Sequence, residues 1–322
     1  MPTLKPPLGI HHVSGMTANA AGNLHFYTQV LGLRLVKKTV NQDDTSAYHL
    51  FYGDEIGNAG SEVTFFDIPQ LGRNQPGVSS ISNIALRVPD EAALEYWQQR
   101  FSEHKVKHDP IALRAGRPSL RFEDPEGQSL QLVSDNTAPS DSHWHKSPVP
   151  QAAGIKGLGP VALTLREASP SAMILEQLLG FEEQSSYADP STGHTVRVFA
   201  NPEGGAASEV HLHERPDLPL ARLGRGGMHH VAFRVPDEES YQAWLSHLQQ
   251  AGIPNSGAVD RYYFRSIYFR EPNGILYELA TDGPGFATDE DPAHLGERLA
   301  LPPFLEPQRA AIEAKLQPLD TH

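Results

Sequence analysis

At 322 residues the chain is long enough for two domains, taking roughly 150 residues for each. Its 39% hydrophobic content supports buried cores, no run reaches the ~20 apolar residues of a membrane span, and 26 Lys+Arg against 39 Asp+Glu give a net charge of −13 that disfavours nucleic acid and anionic lipid as partners. With Cys 0, disulfides, thiolate metal sites, iron–sulfur clusters and a Cys nucleophile are excluded, and with no apolar signal region at the N-terminus a soluble, cytoplasmic protein is expected.

In chain order, residue periodicity predicts a strand at 9–15, a helix at 18–31 stopped by Gly32, and strands near 33–40, 47–52 and 62–67. A second set begins with a strand at 82–88 and a helix at 92–101. Between Asn136 and Ala153, Pro, Ser, His and Ala replace periodic apolar residues, as in a linker. A third set covers 157–213. The fourth has a strand at 228–235, a helix opened by Pro236-Asp237 and closed by Gly252, a strand near 262–270, a Pro-Asn-Gly turn and a strand at 275–280. Residues 283–322 read as an extended tail with a helix at 307–316.

These sets are copies. Val88-Pro89-Asp90-Glu91 recurs as Val235-Pro236-Asp237-Glu238, Asp124-Pro125-Glu126-Gly127 as Glu271-Pro272-Asn273-Gly274, and Ser61-Glu62-Val63 as Ser208-Glu209-Val210, each offset by 147 residues. Leu31-Gly32 recurs as Leu179-Gly180, offset by 148. The chain is therefore a duplication, with an N-terminal domain over 1–140 and a C-terminal domain over 154–282, each of two βαβββ modules, and a tail over 283–322. The fold class is α+β.

His11-His12 opens module one and His229-His230 opens module four at the equivalent place. Strand alternation puts Val231, Phe233 and Val235 under the helix, so His230 and, by the same reading, His12 face the other side. Glu278 lies in an apolar strand, where an unpaired carboxylate is costly. The duplicate positions hold Asn83 for His230, Gln131 for Glu278 and Pro160 for His12, so the module fold does not require these ligand types. Two His and one carboxylate form the facial triad of non-haem Fe(II) oxygen chemistry. The plainer reading pairs Glu278 with Arg261, Arg265 or Arg270 and leaves the histidines to strand-end hydrogen bonds. Among other clusters, His211 and His213 read as surface, His143-Trp144-His145 as linker, and His25 and His247 as half-buried helix residues. Gly224, Gly226 and Gly227 lack the strand-before, helix-after context of a phosphate cradle.

Ile10-His11-His12-Val13, Gly227-Met228-His229-His230-Val231-Ala232-Phe233 and Asn273-Gly274-Ile275-Leu276-Tyr277-Glu278 resemble the vicinal oxygen chelate (glyoxalase/bleomycin resistance/extradiol dioxygenase) superfamily. The stretches from Leu35 to Val40, from Tyr48 to Glu55, and from Gly285 to Asp291 with His294 are similar to its hydroquinone-type ring-cleaving dioxygenases. The resemblance implies two tandem duplicated domains forming open, partly closed β-barrels, with module one pairing module four. It implies Fe(II), with Mn(II) or Zn(II) as isolated alternatives, held by His12, His230 and Glu278. It further implies roles beside the metal for His11, His229, Arg261 and Tyr268, and a small aromatic substrate cleaved with O2. A homo-oligomer is left open. The rivals are a glyoxalase-like metal-dependent isomerase or thiol transferase, and a non-catalytic quinone- or drug-binding protein.

Overall fold

The computed structural model describes residues 4–137 and 143–321, so residues 138–142 of the expected linker lie outside the described residues. Module one comprises β1 (Ile10–Thr17), α1 (Ala20–His25), β2 (Arg34–Val40), β3 (Tyr48–Gly53) and β4 (Glu62–Asp67). Module two comprises β5 (Ser80–Val88), α2 (Glu91–Glu103), β6 (Ala112–Arg114), β7 (Arg117–Glu123) and β8 (Ser129–Ser134). Module three comprises β9 (Leu158–Leu165), α3 (Ser169–Met173), β10 (Glu182–Ala188), β11 (Thr195–Ala200) and β12 (Val210–Glu214). Module four comprises β13 (Gly227–Val235), α4 (Glu238–Gln250), β14 (Val259–Asp260), β15 (Phe264–Arg270) and β16 (Leu276–Pro284), and α5 (Arg309–Glu313) lies in the tail. No helix among the described residues is long and apolar enough to cross a membrane.

The repeated motifs are helix starts and turns. Asp90 accepts a hydrogen bond from the Ala93 amide at 2.9 Å, and Asp237 accepts one from Ser240 at 2.8 Å, so Val-Pro-Asp-Glu is an N-cap written twice. Asp124 Oδ1 accepts from the Glu126 and Gln128 amides, and Glu271 Oε1 from Ile275. Each of these turns closes on a glycine with positive φ, +92° at Gly127 and +89° at Gly274, where a side chain is strained.

In every module the first strand pairs in parallel with the last: β1 with β4, β5 with β8, β9 with β12 and β13 with β16. Modules then join antiparallel across the duplication, β1 with β13 and β5 with β9. Each half of the sequence thus contributes one module to each end of an unclosed sheet, and module one sits beside module four. The helices cover the outer face with buried Trp97, Phe101, Tyr241, Trp244 and Leu248. Val231, Phe233 and Val235 are in this core, as alternation requires.

Three elements depart from expectation. The helix at 18–31 starts at Ala20 under an Asn19 cap and widens to a π turn over Phe26–Val30, with the Leu31 amide donating to the Phe26 carbonyl. The strand near 262–270 is interrupted: Tyr262 takes φ +70°, with its amide held by Asp260 Oδ1, in a tight turn that periodicity does not signal. The tail helix is a single 3-10 turn at Glu306–Gln308 followed by α5, shorter than 307–316. The tail is anchored through Lys37 of β2, which is fully buried and bonded to Glu290, to Asp289 at 2.7 Å and to the Phe286 carbonyl at 3.0 Å.

Candidate metal centre and cavity

Strand register builds the centre. His12 on β1 lies opposite Ala232 on β13, Ala232 lies beside Glu278 on β16, and Glu278 lies opposite Tyr268 on β15. His230, two residues before Ala232, shares its face. The small side chain of Ala232 leaves the space into which its larger neighbours converge. His12 Nε2 is 3.3 Å from His230 Nε2 and 3.2 Å from Glu278 Oε2, and His230 Nε2 is 3.0 Å from the same oxygen. All three residues are buried.

Hydrogen bonding fixes which of these atoms carry protons. The His11 Nε2–H donates to the Thr281 carbonyl at 3.0 Å, since a carbonyl can only accept. Burial pushes His11 down to about 3, so it is neutral and its Nδ1 is an acceptor. That acceptor lies 3.0 Å from His12 Nδ1, which must donate, leaving His12 Nε2 as a bare lone pair. His230 Nδ1 makes the matching contact with His229 Nδ1 at 2.8 Å. Burial lowers His230, and burial together with His230 lowers His229 to about 4. Ser266 Oγ donates to Glu278 Oε1 at 2.5 Å, whereas Oε2 has no hydrogen-bond partner. Acceptor atoms gathered this closely in a dry interior repel unless a cation lies between them. The donor set therefore fits a divalent metal of the two-His, one-carboxylate type.

A cavity of about 380 Å³ opens over this cluster, within the range of small-ligand sites. Arg261, Tyr268, His229 and His49 line it. The Arg261 Nε–H donates to Tyr268 Oη at 3.1 Å, and its Nη1 and Nη2 grip Asp43 at 3.2 and 2.9 Å. Burial, followed by the nearby Glu278 charge, raises the Tyr268 phenol, so it is protonated at neutral pH. Because Arg261 occupies an Oη lone pair, the phenolic proton is left to point elsewhere.

The structure brings His12, His230 and Glu278 together, sets His11 and His229 against the two imidazoles, and places Arg261 and Tyr268 on the cavity wall. Alternation alone turns His11 and His229 away, yet their Nδ1 atoms lie 3.0 and 2.8 Å from those of His12 and His230, and the register of β1 shifts between Ile10 and His12. Glu278 pairs with none of the three arginines: Arg261 holds Asp43, Arg265 holds Glu238 and Arg270 bonds the Gly274 carbonyl. Sequence reasoning missed two contributors. Asp43 comes from the loop after β2. His49 stacks between Phe51 and Phe66, with centroids at 4.0 and 4.1 Å, and bonds Thr64 at 2.9 Å; its place in the Tyr48–Glu55 stretch was the available clue. His211 is buried, not surface, because Glu209 and Tyr187 take both its nitrogens. His25 is exposed rather than half-buried, while His247 is half-buried as expected.

Comparison with known proteins gives the family and the fold. The Glyoxalase/Bleomycin resistance protein/Dioxygenase superfamily matches the chain twice, over residues 9–132 and 157–279. A Bacillus subtilis (strain 168) protein provisionally named ring-cleaving dioxygenase MhqA is 53% identical over 313 residues, covering 97% of this chain and 98% of that one. Chlorohydroquinone/hydroquinone 1,2-dioxygenase of Sphingobium indicum is 30% identical over 304 residues, 92% of each chain. A solved Bacillus subtilis structure, provisionally described as a dioxygenase, superposes with a TM-score of 0.91 at 33% identity over 99% of both chains. With full-length relatives and a double match along its length, the chain belongs to the Glyoxalase/Bleomycin resistance protein/Dioxygenase superfamily.

Proposed function

We propose that this protein is an Fe(II)-dependent, extradiol-type dioxygenase that opens the ring of a hydroquinone or catechol with O2. The observation that carries the reading is the convergence of His12 Nε2, His230 Nε2 and an unpartnered Glu278 Oε2 beneath a cavity walled by Arg261 and Tyr268. The likeness over nearly the whole chain to a ring-cleaving dioxygenase and to a chlorohydroquinone/hydroquinone dioxygenase supports it. Iron held by His12, His230 and Glu278 would supply a Lewis acid for a phenolate oxygen.

The chain's own groups do the rest. His11, anchored on the Thr281 carbonyl, keeps His12 in the tautomer that presents Nε2. Arg261 holds a fixed positive charge beside the ring oxygens, pre-oriented by Asp43, so negative charge developing there meets a dipole that need not reorganise. Tyr268 donates its proton to a substrate oxygen and recovers it from solvent. The apolar walls from Phe51, Phe66 and Phe264 exclude water and pack the ring.

A glyoxalase-like isomerase is less well supported, because such sites use a second carboxylate. Ser14 pairs with Thr64 across β1 and β4 as Ala232 pairs with Glu278 across β13 and β16, so the fourth ligand position carries a hydroxyl. The test is anaerobic loading with Fe(II), then O2 uptake against a panel of hydroquinones and catechols. Uptake of one O2 per ring lost is expected. An iron-loaded protein that consumes no O2 with any diphenol overturns the reading.

A further inference from the structure

The duplicate of the metal centre lies between modules two and three. Asn83 opposes Ala162 across β5 and β9 as His230 opposes Ser14, and Gln131 lies beside Ala85 as Glu278 lies beside Ala232. His211 takes the fourth position, beside Ala162, so this copy carries an imidazole. Arg121 opposes Gln131 as Tyr268 opposes Glu278. At the same 147-residue offset, Arg114 stands for Arg261 and Arg117 for Phe264, and even the positive φ of Tyr262 recurs at Ala115, at +47°. The copy has lost acceptors and gained donors.

Its charges do not balance. Arg117 pairs with Glu209 at 2.7 Å and Arg121 with Asp189 at 2.7 Å. His211 uses both ring nitrogens, with Nε2 3.0 Å from Glu209 and Nδ1 3.3 Å from the Tyr187 hydroxyl. Arg114 is 5% exposed and forms no ion pair among the described residues, and its Nε and Nη1 are buried without a partner. The remaining nearby carboxylate, Asp109, is exposed and does not bond it. Burial, then the neighbouring Arg121 charge, weakens the hold of Arg114 on its proton, as expected of a guanidinium lacking a counter-charge. Arg121 Nε is likewise buried and unpartnered.

We propose that this duplicate centre binds a small oxyanion, a carboxylate or phosphate group, on Arg114 and Arg121: the position that holds a cation in one half of the molecule is inverted to hold an anion in the other. Donors from the buried guanidinium of Arg114 and the half-buried one of Arg121 suit such a group, and charge-assisted bonds away from solvent are stronger than at the surface. The inference does not depend on the reaction at the first centre.

The experiment titrates inorganic phosphate and, separately, succinate into the full-length protein at constant ionic strength, reading heat and thermal midpoint against a chloride control. Wild type is expected to bind one anion per chain saturably, with a midpoint that rises with ligand concentration. Arg114→Met should weaken binding by at least tenfold, and Arg114→Lys should retain part of it. Arg121→Met, with circular dichroism confirming the fold, gives a second reading should Arg114→Met not fold. No saturable binding of either anion to wild type, or unchanged affinity in a folded Arg114→Met or Arg121→Met, overturns the proposal.

Discussion

His11 offers a direct handle on the centre because it touches the proposed ligand His12 without being one. In His11→Phe the ring still packs against Phe264, whose centroid is 5.6 Å away, but two hydrogen bonds go. The His12 Nδ1–H loses its acceptor at 3.0 Å and the Thr281 carbonyl loses its donor at 3.0 Å, both in a buried setting. An orphaned buried donor costs about 1–3 kcal/mol. It can be relieved by moving the proton to Nε2, which is the atom the metal needs. Loss of such a partner lowers metal affinity roughly 10–100-fold, or about 1.4–2.7 kcal/mol, so the two routes agree. The assay is Fe(II) affinity by anaerobic competition with a chelator of known strength. A His11→Phe protein that is folded and binds Fe(II) as tightly as wild type would refute the tautomer argument.

Tyr268→Phe should retain iron and fold yet lose roughly 10²–10⁴-fold in kcat per bound iron; wild-type turnover would remove the phenol from the mechanism. Arg261→Ala should raise KM as well as lower kcat in steady-state O2 uptake, since both charge and the Tyr268 bond are lost. Lys37→Met should destabilise the protein by about 3–5 kcal/mol in urea unfolding, because Glu290 and Asp289 lose a buried partner, and adding Glu290→Gln should recover part of it. His213 titrates at about 4 when folded, lowered by burial and then by His211, against an ordinary value of 6.5. The unfolded chain therefore takes up the proton first: stability is full above pH 6.5 and falls as pH drops toward 4. His213→Gln should flatten that decline by at most about 1.4 kcal/mol per pH unit, measured by denaturation at a series of pH values.

Much of this was legible in the sequence because the chain contains its own control. The N-caps Asp90 and Asp237 and the turn glycines Gly127 and Gly274 are local devices, so they recur at a fixed offset and reveal the modules. The replacement of His230 and Glu278 by Asn83 and Gln131 separated ligand chemistry from fold. What stayed hidden is non-local. Asp43 reaches Arg261 and Lys37 reaches the tail across more than two hundred residues, and neither ion pair leaves a period or motif. The π turn after His25 and the turn at Tyr262 depend on backbone hydrogen bonds that hydrophobic spacing does not encode. His211 looked like surface because polar residues follow it, but Tyr187 of β10 and Glu209, two residues before it, take its nitrogens in the buried interior.

The central claim is that His12, His230 and Glu278 form one metal centre across the duplication, and metal stoichiometry in single variants tests it most directly. Wild type loaded anaerobically with Fe(II) and freed of excess should carry about one ion per chain, as one facial triad permits. His12→Ala, His230→Ala and Glu278→Ala should each lose it while keeping their fold. Undiminished iron in a folded His12→Ala protein would contradict the account, because it would place the metal on module four without module one.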